Sequence, residues 1–372
     1  MHRADMRVKI LAPALLAGAL LACAVMMPRD AAAHDYLVTG AKPDLLFVID
    51  PVKAQVVSEF HIPGANDYVS IIVPSSDGTI AYVLINKAES IAGIDLRTGR
   101  EVFRADLSSP GERVQCMFAF VVTPDGKELI AYEYSTRLGI DSYTVLQPKF
   151  VVFSTAGGLH ARPLRQFPAP RRIEMLLAKQ DGRSFYALGF NLYEYDLGTG
   201  RLIGKRGILN WNRPHHSSPD MLAFWPVTEP TGIFASPLYS TLSGPGTPRG
   251  GIPETSLMLL DLRTGQLQYH DFERTSAPIF SAVLSPDRHW AFGAYTALTR
   301  IDTRRWDVAG RINLAHTYYS VNISSDGKEV YVGGAMCDIA IYDSGTLQKK
   351  GDVRLPGCGD QALATLRVVE RQ

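Results

Sequence analysis

Residues 318–343 read YYSVNISSDGKEVYVGGAMCDIAIYD, and this stretch decides the fold. Apolar and polar residues alternate through Tyr319-Ser320-Val321-Asn322-Ile323, Ser325-Asp326-Gly327 follows, Val330-Tyr331-Val332 resumes the pattern, and Ile339-Ala340-Ile341-Tyr342 makes a third run. A period of two suits a pleated ribbon, and Asp-Gly between two such runs provides the positive-φ position of a tight hairpin turn. The stretch is therefore a three-strand meander.

Working outward, the chain repeats this unit. A hairpin turn between two apolar runs recurs at Ser76-Asp77-Gly78, Pro124-Asp125-Gly126, Gln180-Asp181-Gly182, Pro286-Asp287-Arg288 and Ser325-Asp326-Gly327, with Pro230-Thr231-Gly232 as a weaker copy. A second turn follows runs that end in Asp50, Asp95, Asp196, Asp261, Asp302 and Asp343, with Phe153-Ser154 as the degenerate copy. That makes seven copies with a period in the forties, the arithmetic of a seven-bladed β-propeller in an all-β chain. The spacing stretches only across residues 135–148 and 237–254, which read as loop-like insertions.

Closure is legible as well. Asp35-Tyr36-Leu37-Val38-Thr39 leads into the Asp50 turn with no hairpin turn before it, so the first blade lacks its innermost strand. Residues 362–369, ALATLRVV, form one spare strand at the other end, and placing it in the first blade removes two exposed sheet edges. A β-sandwich would show fewer evenly spaced units. An α/β fold would need helical periodicity, which no segment after residue 33 shows.

With 372 residues and 46% hydrophobic composition the chain can bury a large core. Lys and Arg total 38 against 37 Asp and Glu, so no overall field draws it to nucleic acid or to an anionic membrane. Arg3, Arg7 and Lys9 precede an apolar run over residues 10–27, and Ala31-Ala32-Ala33 follows. Residues 1–33 read as a secretory signal peptide and residues 34–372 as the propeller, exported to the periplasm with no membrane span in the mature chain. Leu20-Leu21-Ala22-Cys23 offers lipoprotein processing as the alternative to cleavage after Ala33.

Removal of the leader leaves Cys116, Cys337 and Cys358. In a propeller the connections holding Cys337 and Cys358 open on the same face, so a bridge between them is expected, with Cys116 a buried thiol. No C-x-x-C-H is present for covalent haem attachment, and three scattered cysteines make no zinc or iron-sulfur framework. Nor is there a phosphate-binding glycine loop, an H-E-x-x-H or a Ser-His-Asp order. His215-His216 is the only histidine pair, and adjacent residues of an extended segment point opposite ways, so it reads as a polar loop rather than a metal site. No catalytic, cofactor or metal residue is therefore expected in this chain. Aromatic residues gather where innermost strands end: Trp225 after residues 221–224, Tyr295 after 291–294, and Tyr318-Tyr319 after His316. They are candidates for a substrate pocket or subunit interface at the channel mouth, against the plainer role of packing between blades.

These residues resemble the propeller subunit of the quinohaemoprotein amine dehydrogenases. The resemblance covers essentially the whole mature chain and is most specific at residues 36–43, YLVTGAKP, at 86–96, NKAESIAGIDL, at 291–295, AFGAY, and at 316–324, HTYYSVNIS, with Gly333-Gly334-Ala335. It implies a periplasmic enzyme that oxidises primary amines to aldehyde and ammonia. In it a small subunit carries a cysteine tryptophylquinone, a dihaem cytochrome subunit takes the electrons through c-type haem, and the propeller holds no cofactor. The cysteines match no signature of the family. A stand-alone periplasmic repeat propeller that binds a protein or another ligand shares the turns and is the competing expectation.

Overall fold

In the computed structural model the described residues are 34–222, 225–274, 277–361 and 363–371. The leader read over residues 1–33, with Cys23 and Ala33, lies outside them, as do Ala223, Phe224 and Ala362.

Each repeat forms one antiparallel sheet, and seven such sheets follow one another along the chain. The Asp turns hold the strands in register for a local reason. Asp95 Oδ1 accepts from the amides of Arg97 and Thr98 at 2.9 and 2.8 Å, and Asp261 Oδ1 accepts from Arg263 and Thr264 at 2.9 Å each. In the hairpin turns Asp326 Oδ1 accepts from Lys328 N and Ser324 Oγ, and Gly327 takes φ 75°. Burial follows strand position: Leu45–Asp50, third in its blade, is buried throughout, whereas the outer strand Gln55–His61 alternates exposed and half-buried.

Seven apolar clusters fill the seven spaces between neighbouring blades. The cluster between blades 7 and 1 includes Leu37, Phe47, Tyr331, Ile341 and Val368, as dry as any other, so the ring is closed by a full core. Each of these large side chains contributes roughly 1.5–3 kcal/mol on burial.

Closure uses the C-terminal strand. Arg367–Arg371 is the inner strand of blade 1 and pairs antiparallel with His34–Ala41, Val369 opposite Tyr36 and Val368 opposite Leu37. The strand begins later than residue 362, because the residues before it are held by other partners. Thr365 Oγ1 accepts from Ile72 N and donates to Ile72 O, both at 2.9 Å, and Leu366 donates to Ser320 Oγ while accepting from Asn322 Nδ2. This segment is wedged between the inner strands of blades 2 and 7.

The two insertions are strand extensions that carry loops at 139–142 and 243–251. In blade 3 the second strand, Glu128–Leu138, runs on past its blade and pairs with Glu112–Gln115 and Tyr143–Val145. In blade 5, Ile233–Leu242 pairs with Ile252–Asp261 along ten residues. Their Ser and Thr content looks loop-like, but Ser240, Thr241 and Thr255 sit in the ladder, where β-branched and small polar residues keep an extended backbone. Among the described residues no helix is long and apolar enough to cross a membrane.

Candidate functional site

In blades 2 to 7 the hairpin turn joining the first two strands lies at one end of the ring. The connections between blades and the turns between second and third strands lie at the other, here the upper end. Cys337 and Cys358 are both on upper connections and form a disulfide with Cα atoms 4.7 Å apart, while Cys116 is a buried free thiol. Desolvation in its apolar pocket pushes that thiol far up from its ordinary range.

The candidate aromatic residues divide into two groups. Tyr319 precedes the inner strand of blade 7, Tyr295 follows the second strand of blade 6 rather than an innermost one, and Trp225 lies beyond Asp220–Met221, the short inner strand of blade 5. These three meet around Phe280, which no single motif had singled out. Phe280 stacks on Tyr295 at 3.9 Å between centroids and 11°, and lies 5.3 Å from Tyr319 and 5.9 Å from Trp225; Trp225 and Tyr319 are 5.5 Å apart. The repeat offered a signal for Phe280: Phe280-Ser281 and Tyr319-Ser320 occupy the same place in successive blades, each donating its amide to the end of the second strand, at Ala294 O and Gly333 O. Trp225 is 8% exposed, and the other three rings are half-buried. Among the described residues the hydroxyls of Tyr295 and Tyr319 take no hydrogen-bond partner.

Tyr318 and His316 form a separate unit. Tyr318 is fully buried in the core between blades 6 and 7, and its hydroxyl donates to Asp338 Oδ2 at 2.6 Å. Burial and the neighbouring carboxylate drive its phenol far above the ordinary range. His316 stacks on Tyr318 at 4.0 Å and places Nε2 2.8 Å from Asp338 Oδ1. A side chain so enclosed cannot line an open pocket, so of the tyrosine pair only Tyr319 faces the mouth. The reason is alternation: adjacent residues of an extended strand face opposite ways.

Below the aromatic group the tunnel is crossed. Arg367 of blade 1, 6% exposed, donates Nη1–H to Pro226 O of blade 5 at 2.6 Å and sets Nε 2.5 Å from Glu229 Oε1. Blades 1 and 5 are not neighbours on a seven-bladed ring, so this contact spans the centre. The four rings therefore form an aromatic cup with this cross-ring contact as its floor. It has rings to grip an apolar group and two phenols to hydrogen-bond a polar one.

His215 and His216 diverge because the chain turns at them, not because the segment is extended. His215 has φ 63° and its carbonyl accepts from Ser243 N, while His216 turns towards Glu254.

No protein-family model matches the chain, and no curated protein sequence matches it. Among solved structures the chain is similar to the Kuenenia stuttgartiensis hydrazine synthase at 13% identity and a TM-score of 0.50, covering 86% of this chain and 95% of that one. It is also similar to dihydro-heme d1 dehydrogenase NirN, at 13% identity and a TM-score of 0.55, covering 88% of this chain and 74% of that one. At such identity the likeness is one of fold, and with the seven sheets and the closing strand it gives the chain as a seven-bladed β-propeller.

Proposed function

We propose that this chain is the cofactor-free propeller subunit of a periplasmic quinohaemoprotein amine dehydrogenase. In this reading it shapes the pocket for a primary amine and docks a small quinone-bearing subunit and a dihaem cytochrome subunit. The observation that carries the reading is the cup formed by Trp225, Phe280, Tyr295 and Tyr319 above the cross-ring contact, built in part from the runs in which the family resemblance is most specific.

The quinone of the partner subunit supplies the redox chemistry. This chain's own residues supply position and dryness. The stacked rings present an apolar wall that holds the hydrocarbon part of an amine and keeps bulk water away from its reacting carbon. The free phenols of Tyr295 and Tyr319 are placed to orient a polar group at the rim. A partner must cover the cup, and the same end of the ring offers apolar surface for one: Met117, Leu138, Ile140, Tyr143 and Val145 are all exposed on the blade 3 extension and the connection beside it.

Isolation of the tagged chain from its native host tests this reading. Two further subunits should co-purify, with a haem spectrum that is reduced on adding a primary amine. A colourless single chain that gains no partner would favour a stand-alone binding propeller.

A further inference from the structure

Blade 5 carries at the same end a second cluster, which plays no part in the reading above. The connection entering the blade brings His216 against Glu254 of the third strand and Asp271 of the outer strand, and one ligand-capable atom of each lies within 4.8 Å of the others. His216 Nε2 is 2.6 Å from Glu254 Oε2 and 3.9 Å from Asp271 Oδ2. Its other nitrogen, Nδ1, lies 2.8 Å from the carbonyl of Pro214, which can only accept, so Nδ1 carries a proton. In a neutral ring the lone pair then sits on Nε2 and points at two carboxylates. That arrangement is repulsive unless a cation lies between them. Glu254 is 6% exposed, and among the described residues the nearest cation to its Oε1 is Arg274 at 4.0 Å, beyond hydrogen-bond reach.

We propose that His216 Nε2, Glu254 and Asp271 bind one divalent transition-metal ion of the zinc type. One imidazole and two carboxylates are ligands that zinc takes, at about 2.0–2.2 Å, and a tetrahedron with such bonds has edges of roughly 3.4 Å. The separations of 2.6 and 3.9 Å straddle that edge, so a small swing of Glu254 opens the site. The surroundings orient the ligands. Pro214 O fixes the histidine tautomer, Arg213 grips both oxygens of Asp271 at 2.8 and 2.6 Å, and Ser256 Oγ donates to Asp271 Oδ1 at 2.6 Å. Trp211 meets the imidazole edge-on at 5.9 Å and ties down the connection through Nε1–H to Ser217 O. Two carboxylates stand against the guanidinium of Arg213 and, at 4.0 Å from Glu254 Oε1, that of Arg274. The competing occupant is a second proton on His216, which would make the cluster a plain ion pair.

The test uses the full mature chain, stripped with chelator and titrated with Zn²⁺ at pH 7.5, with elemental analysis after gel filtration. One retained equivalent is expected, with a melting temperature raised by roughly 3 °C at saturating ion. His216→Gln and Glu254→Gln should each weaken binding at least about 100-fold, and Arg213→Gln by about 10-fold to 100-fold as an outer partner. Cys116→Ser should leave binding unchanged. Asp271→Asn, nearly isosteric, serves if either ligand variant fails to fold. No retained ion, or the same retention in the ligand variants, overturns the site and leaves the proton-bridged pair.

Discussion

The C-terminal clasp and the aromatic cup lie at the same end of the ring and are built on opposite principles. In the clasp, Gln361 is wholly buried, its Nε2 donating to the carbonyls of Ala335, Met336 and Asp338 while its Oε1 accepts from Thr39 Oγ1 and Gly334 N. In the cup, rings stack closely, yet Tyr295 and Tyr319 leave their hydroxyls open. Groups whose hydrogen bonds are all made inside the chain are committed to holding the ring. Groups left open on a rigid, half-buried surface are available to something else. Tyr318 and Tyr319, neighbours in sequence, fall on either side of that line.

The largest effect is expected at the clasp. Deleting residues 361–372 removes the inner strand of blade 1, the Thr365 bridge to Ile72 and the Arg367 span to blade 5, and re-exposes the edge of His34–Ala41. The expected product is insoluble or degraded by protease under conditions in which the intact chain resists. A truncation that stays folded would make the clasp an ornament.

A smaller cut is Gln361→Ala, which leaves buried carbonyls and amides without partners. A loss of roughly 3 kcal/mol is expected, read as a shift in the urea midpoint at unchanged slope. If the cup is separate from the clasp, folded Gln361→Ala protein keeps its substrate preference.

A third region, between blades 2 and 3, differs from both, because it holds a carboxyl inside the core with Lys149 as its charged partner. Glu133 is 4% exposed, and burial outweighs Lys149, 3.4 Å away, pushing the carboxyl up to about 7. The folded chain therefore keeps a proton that the unfolded chain gives up near the ordinary carboxyl range. This contribution favours folding at low pH and is lost as pH rises through that range to about 7. Glu133→Gln should stabilise the protein by about 2–3 kcal/mol at pH 7.5 and by nothing near pH 4. Melting curves of both proteins across that range check the sign, and a variant less stable at pH 7.5 would show that the Lys149 pair outweighs burial.

Much of this was legible in the residues. Asp-Gly turns and Asp-terminated strands carry their own hydrogen bonds, so the blades and their count follow from local chemistry. The spare C-terminal strand was legible because blade 1 lacked one. Its true start was not, since Thr365 is captured by Ile72, 293 positions away, and Leu366 by Ser320 and Asn322 of the preceding blade. The cup was half legible. Tyr295, Tyr319 and Trp225 were singled out by strand position, but which of two adjacent tyrosines faces the mouth depends on register, and the floor made by Arg367 and Glu229 arises only on closure. The cluster of His216, Glu254 and Asp271 joins residues up to 55 positions apart, a pattern that no spacing rule on one element would find.

Steady-state kinetics of assembled complex carrying Tyr319→Ala, beside Tyr318→Phe, separate an amine pocket from a scaffold. If the cup receives the amine, Tyr319→Ala retains haem and quinone content but raises KM for the preferred amine roughly tenfold, or changes which amine is preferred. Tyr318→Phe, whose lost hydroxyl served only Asp338, keeps the kinetics and loses a little stability. Unchanged KM and amine preference in fully assembled Tyr319→Ala complex would contradict the account and leave the chain a scaffold.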